Sequence, residues 1–204
     1  MTSHISRLYN SHHEARAIVR ELEAAGVDHG DISIIASNAD NSYDEKTKTF
    51  PDRDLDGTDD RVEAAGAGAG LGAAAGGAAG ALAGLGLIAI PGVGPIVAAG
   101  WLAATLTGAA AGAATGGVLG ALTQAGVSAE DAEVYAEALR RGGALVSVRV
   151  DDGDAARLQA IMDRSSIRPG DRAAAYRAAG WKSFDPDAAP YSAEQVRNER
   201  ALYR

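Results

Sequence analysis

Apolar residues at the start of the chain follow first a strand-like and then a helical spacing. His4–Asn10 predicts a short strand, and Ser11 begins a helix through a capping box completed by Glu14. The helix ends at Gly26, and Asp31–Ser37 alternates apolar and polar side chains as a second strand does. These elements predict a βαβ unit.

A similar pattern returns in the second half of the chain. Ser128 caps a predicted helix through Arg141, and Ala144–Val150 alternates as a strand. A helix that buries Leu158 follows, and a weak strand is predicted near Ser166–Arg168. Two such units predict an α+β fold, a ferredoxin-like sandwich in which one four-stranded sheet is covered by two helices.

Between these units lies a stretch without any Asp, Glu, Lys or Arg, bounded by Glu63 and Glu130. Glycine recurs there at four-residue steps, which on a helix leaves a groove that lets two backbones approach closely. The stretch predicts a glycine-zipper helical hairpin with arms Ala64–Ile90 and Ile96–Ala125, joined by a Pro-Gly-Val-Gly-Pro turn. The predicted packing glycines are Gly68, Gly72, Gly76, Gly80, Gly84, Gly100, Gly108, Gly112, Gly116 and Gly120. A flexible Gly/Ala linker is the simpler alternative, but linkers do not keep such a step.

Bulky apolar residues concentrate around the predicted turn, whereas the base of the first arm is nearly all Ala and Gly. The hairpin is therefore expected to have a hydrophobic tip that is buried in a bilayer or against other protein. The tip residues are Leu87, Ile88, Ile90, Ile96, Val97 and Trp101. The predicted organisation is a first βαβ half (1–37), an acidic loop (38–63), the hairpin (64–127), an exit helix with the second βαβ half (128–170), and a C-terminal tail with a helix (171–204).

The acidic loop contains the spacing D-x-D-x-D-G-x₅-E, which is typical of a calcium-binding loop. Oxygen ligands for Ca²⁺ would come from Asp52, Asp54, Asp56, the Thr58 carbonyl, Asp60 and Glu63. Phe50-Pro51 precedes the loop where an EF-hand has a helix, so an acidic loop that merely keeps the surface solvated remains the alternative.

Composition excludes several classes of function. The net charge of −8 disfavours non-specific nucleic-acid binding, and the absence of cysteine excludes disulfides and thiol catalysis. No nucleophile, base and oxyanion donor assemble in the sequence, and no small-molecule substrate is indicated. The N-terminus lacks an apolar signal-peptide core, so we expect a cytoplasmic, non-enzymatic protein.

Several segments resemble the bacterial general-stress (heat-induced stress) protein family. They are Leu8-Tyr9, Val19–Leu22, Ile32–Asn38, the turn Ile90–Pro95, and Tyr176–Trp181 continuing through Phe184-Asp185. The likeness covers nearly the whole chain, and its most specific element is the two-arm glycine zipper with its turn. The resemblance implies a stress-linked, non-enzymatic bacterial protein and supplies no catalytic residues.

Two hypotheses for function follow from the hairpin. In the one we favour, copies of the chain form a homo-oligomer through their glycine grooves. In the alternative, the hairpin inserts into or associates with a membrane, since each arm exceeds the roughly 20 residues that span a bilayer. Acidic flanks at Asp59, Asp60, Glu63, Glu130 and Asp131 oppose that alternative, because membrane hairpins carry Lys and Arg on the cytoplasmic side. A calcium sensor acting through the acidic loop is the third hypothesis.

Overall fold

The chain begins with a strand, a helix and a second strand, as its sequence predicts. A computed structural model describes residues 2–40, 87–103, 105–106 and 117–203. Strand β1 is Thr2–Tyr9, helix α1 is His12–Ala24, and strand β2 is Ile32–Ser37, with a short 3₁₀ turn at His29–Asp31 before it. The Glu14 N–H donates to Ser11 Oγ at 3.3 Å, and the Glu14 carboxylate accepts from the Asn10 N–H at 3.1 Å. This cap confirms the predicted start of α1.

The next described residues form a β-hairpin where helical arms were predicted. Strands β3 (Leu87–Ile90) and β4 (Gly94–Ala99) pair antiparallel, so the helix prediction is wrong over these residues. Gly92 and Gly94 take positive φ angles of 73° and 98° in the turn. Branched Ile and Val side chains favour strands, and β4 also pairs with β2. Residues 101–103 and 105–106 are helical, as is α2 (Gly117–Gln124), in agreement with the predicted second arm.

The second βαβ half follows as predicted, except for its last strand. Helix α3 (Ala129–Arg140) leads to strand β5 (Ala144–Asp151) and helix α4 (Ala155–Met162). The predicted strand at 166–168 is reduced to one bridge, in which the Ile167 N–H donates to the Leu8 carbonyl at 2.8 Å. Proline follows directly at position 169, and because its ring removes an N–H and favours a helix start, the strand ends there.

Two helices form the C-terminal region. Helix α5 (Pro169–Ala178) was not predicted, whereas α6 (Ala193–Leu202) was. In the capping box of α6, Ser192 Oγ accepts from the Gln195 N–H and the Gln195 side chain accepts from the Ser192 N–H. The tail packs on its own chain.

All five strands form one antiparallel sheet in the order β1-β5-β2-β4-β3. The described fold is therefore α+β, with one strand more than predicted. Helices α1 and α4 cover one face over a core that includes Ile18, Leu22, Val146 and Met162. Helices α2 and α3 and the tail cover the other face, over Ile35, Ile96, Leu122, Leu139 and Trp181. Both faces of the sheet are thus covered by the chain's own helices and tail.

Candidate interaction site

Most of the predicted glycine groove and the whole predicted calcium loop lie outside the described residues. Of the ten glycines, the structure describes Gly100 and Gly120. Gly120 lies in α2, partly buried. Gly100 follows β4 with φ +87°, and a Cβ added to it would lie 2.3 Å from the Ile32 carbonyl oxygen. Its assignment to a helical groove is wrong, because Gly100 permits the close approach of two strands of the same chain.

The predicted hydrophobic tip belongs to the sheet and its core. Ile90, Ile96 and Val97 are buried, and Ile90 and Ile96 lie in the core beneath α3. Leu87 and Ile88 form the first half of β3. Trp101 is half-buried, with the His4 ring edge-on at 4.9 Å and the Arg149 guanidinium 5.5 Å from its ring centre. The side chains of Ile90, Ile96, Val97 and Trp101 are therefore used within one copy of the chain.

The described ranges contain no group of three or more His, Asp or Glu side chains placed to hold a metal ion. Among the helices described, none is both long and apolar enough to cross a lipid bilayer.

A buried ionic cluster fastens the C-terminal tail to α3; we call it the tail clasp, formed by Glu137, Arg140, Arg141, Glu199 and Arg200. Glu137 is fully buried, and its carboxylate lies 2.5 Å from Arg141 Nε and 2.6 Å from Arg140 Nη2. Arg141 also donates to Glu199 at 3.0 Å, which joins α3 to α6. Arg200 donates to the Gly142 carbonyl at 3.0 Å and pairs with an acidic residue just after β2, Asp40.

Aromatic rings surround the clasp. The Arg141 guanidinium lies 4.2 Å from the centre of the Tyr176 ring, and Arg172 lies 3.9 Å from that of Tyr203. Burial acts to lower the pKa of Arg141, but hydrogen bonds to Glu137 and Glu199 raise it by more, so its pKa lies above the ordinary value. For Tyr176, burial raises the pKa of the hydroxyl. Arg141 therefore keeps its charge across the physiological pH range.

The tail also packs against the turn of the β3–β4 hairpin. A Cβ added to Gly92 would lie 2.6 Å from Pro186 Cα, and one added to Gly94 would lie 2.8 Å from Pro190 Cβ. Val93, between the two glycines, is fully buried. The Pro-Gly-Val-Gly-Pro sequence thus forms a surface on which the prolines of the tail pack.

A groove of about 660 Å³ lies beside the C-terminal part of β1, where Arg7 lines it; we call it the edge groove. Tyr135 and Asp131 of α3 line one wall, and Asp163, just after α4, lines the other. Residues 166–169 and Asp171 also line the groove. The Arg7 guanidinium donates to Asp163 at 2.5 Å, so this ion pair forms part of the groove wall.

The main chain of β1 is partly open on the side away from β5. The carbonyls of Ser6 and Leu8 point to that side, because Ser6 accepts from the Tyr135 hydroxyl at 3.4 Å and Leu8 accepts from Ile167. Alternate residues of a strand point their main-chain groups the same way, so those of Thr2 and His4 also face outward. Within the described ranges, these two residues have no partner on that side. Burial, and then the neighbouring Asp131, raises the pKa of Tyr135 to about 12, which keeps its hydroxyl a donor.

No protein-family model matches the chain, and no curated protein or solved structure matches it.

Neither the tail clasp nor the edge groove was predicted from the sequence. The clasp joins residues about sixty positions apart, and its only local signal is the spacing of Glu137 and Arg141 on one face of α3. For the edge groove, the signal is that β1 contains no Lys or Pro, which edge strands commonly carry.

Proposed function

We propose that this chain is a non-enzymatic protein that self-associates through its glycine-stepped segment, residues 64–127, with the described α+β head as the anchor. One observation carries the proposal: glycine recurs every four residues through a stretch with no charged side chain between Glu63 and Glu130. A helical glycine costs about 1 kcal/mol relative to alanine. So many glycines are therefore tolerable only where close helix packing uses the space they leave.

The head supports this proposal by fixing parts of the segment. Leu102 and Leu106, in the helical residues after β4, are buried in the core beneath α3, and so are Val118 and Leu122 of α2. The β3–β4 hairpin lies between the two glycine-stepped stretches in the sequence. The buried Ile90, Ile96 and Val97 are not part of the proposed contact between copies.

We also propose that the head is a ferredoxin-like sandwich with two modifications. The order β1-β5-β2, with α1 and α4 on one face, matches the interleaved βαβ units of that fold. The fourth strand has shrunk to the Ile167 bridge, and the β3–β4 hairpin extends the opposite edge. With the resemblance to general stress proteins, this leads us to propose a cytoplasmic, stress-linked bacterial protein.

The proposal is tested by filling the glycine groove. Replacing Gly76 and Gly112 together by leucine adds bulk to the proposed packing face of both stretches. The matched control replaces Ala74 and Ala110 by leucine, because residues two apart on a helix face in nearly opposite directions. Light scattering after size exclusion should show a lower mass for the glycine variant than for the alanine variant.

Equal masses for the two variants would contradict the proposal. Recovery of the unsubstituted chain only in a membrane pellet, released by detergent but not by salt, would also contradict it and would favour the membrane hairpin.

A further inference from the structure

We propose that β1 pairs with β1 of a second copy of this chain, antiparallel and across a two-fold axis, so that two sheets become one continuous sheet. This interface lies on the head, at the open edge of β1 next to the edge groove, and is independent of the glycine-stepped segment. It is therefore a second contact between copies, beyond the proposed function.

The first argument is that the start of β1 is an unprotected edge. Proteins normally guard edge strands against pairing by keeping them short or by placing Lys, Pro or a bulge in them. β1 is eight residues long, and none of the residues whose main-chain groups face outward, Thr2, His4, Ser6 and Leu8, is Lys, Arg, Asp, Glu or Pro. Ser6 and Leu8 have partners in Tyr135 and Ile167, so the open main-chain groups are those of Thr2 and His4. An edge as long and regular as β1 is typical of a strand with a partner.

The second argument is the position that the C-terminal region leaves open. Ile167 pairs with Leu8 and then the chain turns into α5, so no described strand lies beside Thr2–Ser6. The edge groove adjoins this position at Arg7, with Tyr135 on one wall and Asp163 on the other. A strand added beside Thr2–Ser6 would continue the sheet.

Charge favours a second copy as the occupant. The chain as a whole carries −8, so two copies repel each other over most of their surface. The edge groove, however, is lined by two arginines and three aspartates and is close to neutral. Arg168 has no ion-pair partner in the described part of the chain, so its guanidinium is available for an acidic residue of the other copy.

The geometry selects one register. A two-fold axis through His4 sets His4 opposite His4 of the other copy and Thr2 opposite Ser6. The outward main-chain groups of Thr2 and His4 then gain hydrogen bonds. The pairing between the two copies ends before Leu8, which already pairs with Ile167. In such a pair the two His4 Cα atoms lie about 5.5 Å apart, which is within the range that a disulfide bridges.

Cysteine cross-linking tests this register, because the natural chain has no cysteine. The variant His4→Cys should oxidise to a disulfide-linked dimer of twice the 20.7 kDa chain mass on a non-reducing gel. Ser3→Cys is the matched control: it is the neighbouring exposed residue, and in this register its two copies lie about 8 Å apart, too far for a disulfide. Both variants are made with Gly76→Leu and Gly112→Leu, so that contacts through the glycine segment do not contribute.

Dimer formation by His4→Cys but not by Ser3→Cys supports the interface. Equal cross-linking of both variants, or of neither, overturns it. A second measurement avoids cysteine: His4→Pro removes an outward N–H and should abolish the dimer in sedimentation velocity. Ala89→Pro on β3 is its control. Ala89 pairs with Pro95, but the Pro95 carbonyl accepts from Asn38 on the β2 side, so the Ala89 N–H does not bond to Pro95. Loss of the dimer in both proline variants, or in neither, would contradict the proposal.

Discussion

Replacing Glu137 by glutamine should loosen the C-terminal tail while keeping the size of the side chain. Glu137 is fully buried and is the acidic partner of both Arg140 and Arg141. The side chains of these arginines are themselves only 10 % and 11 % exposed. The neutral amide would leave Arg140 without an acidic partner among the described residues, whereas Arg141 would keep Glu199.

The expected cost follows from the burial of these charges. Breaking a buried ion pair by removing one partner costs about 3–5 kcal/mol. We expect the lower end, about 3 kcal/mol, because Arg141 retains Glu199. Since folded proteins are stable by only about 5–15 kcal/mol, this is a large fraction of the total.

Urea unfolding measures this loss without the ionic screening that guanidinium adds. Trp181, 9 % exposed in the tail, reports tail release by fluorescence when Trp101 is replaced by phenylalanine. Glu133→Gln is the control on the same helix, because Glu133 is half-buried and makes no ion pair with the described residues. A loss of less than about 1 kcal/mol, as for an exposed pair, would refute the view that the clasp holds the tail.

Two further predictions concern the turn and the pH dependence of stability. In thermal unfolding, Gly92→Ala should destabilise the protein more than Gly26→Ala. Both glycines have positive φ, but only at Gly92 would the new Cβ meet Pro186. Similar losses of stability would mean that the turn and the tail are not packed against each other. Burial, with nearby positive charges, lowers the pKa of His12 to about 4, so the unfolded chain takes up a proton first as the pH falls. Stability should therefore decrease from about pH 6.5 to about pH 4, by about 1 kcal/mol for this partly exposed ring, and His12→Gln but not His13→Gln should remove that decrease.

Local signals predicted much of the head correctly. Ser11 and Ser128 cap helices as predicted, because a cap depends on residues within one turn. The alternating Val residues of β5 predicted a strand correctly because this alternation is also a local pattern. Helix α5 was missed although Pro169 stands at its start, a common signal for a first helical turn.

The failures occur where distant contacts decide the structure. The turn at Pro91–Pro95 resembles a helix breaker in sequence, but Val97 pairs with Ala36 of β2, and this long-range pairing makes β4 a strand. Gly100 fits the four-residue step by sequence, yet its position against the Ile32 carbonyl comes from that same pairing.

The mass of the unsubstituted chain in detergent-free solution tests the central claim of self-association most directly. The lysate is centrifuged at high speed, and the supernatant is measured by size exclusion with light scattering. The proposal predicts a defined assembly whose mass is a multiple of 20.7 kDa. A protein that elutes as a single 20.7 kDa chain at all concentrations would contradict it.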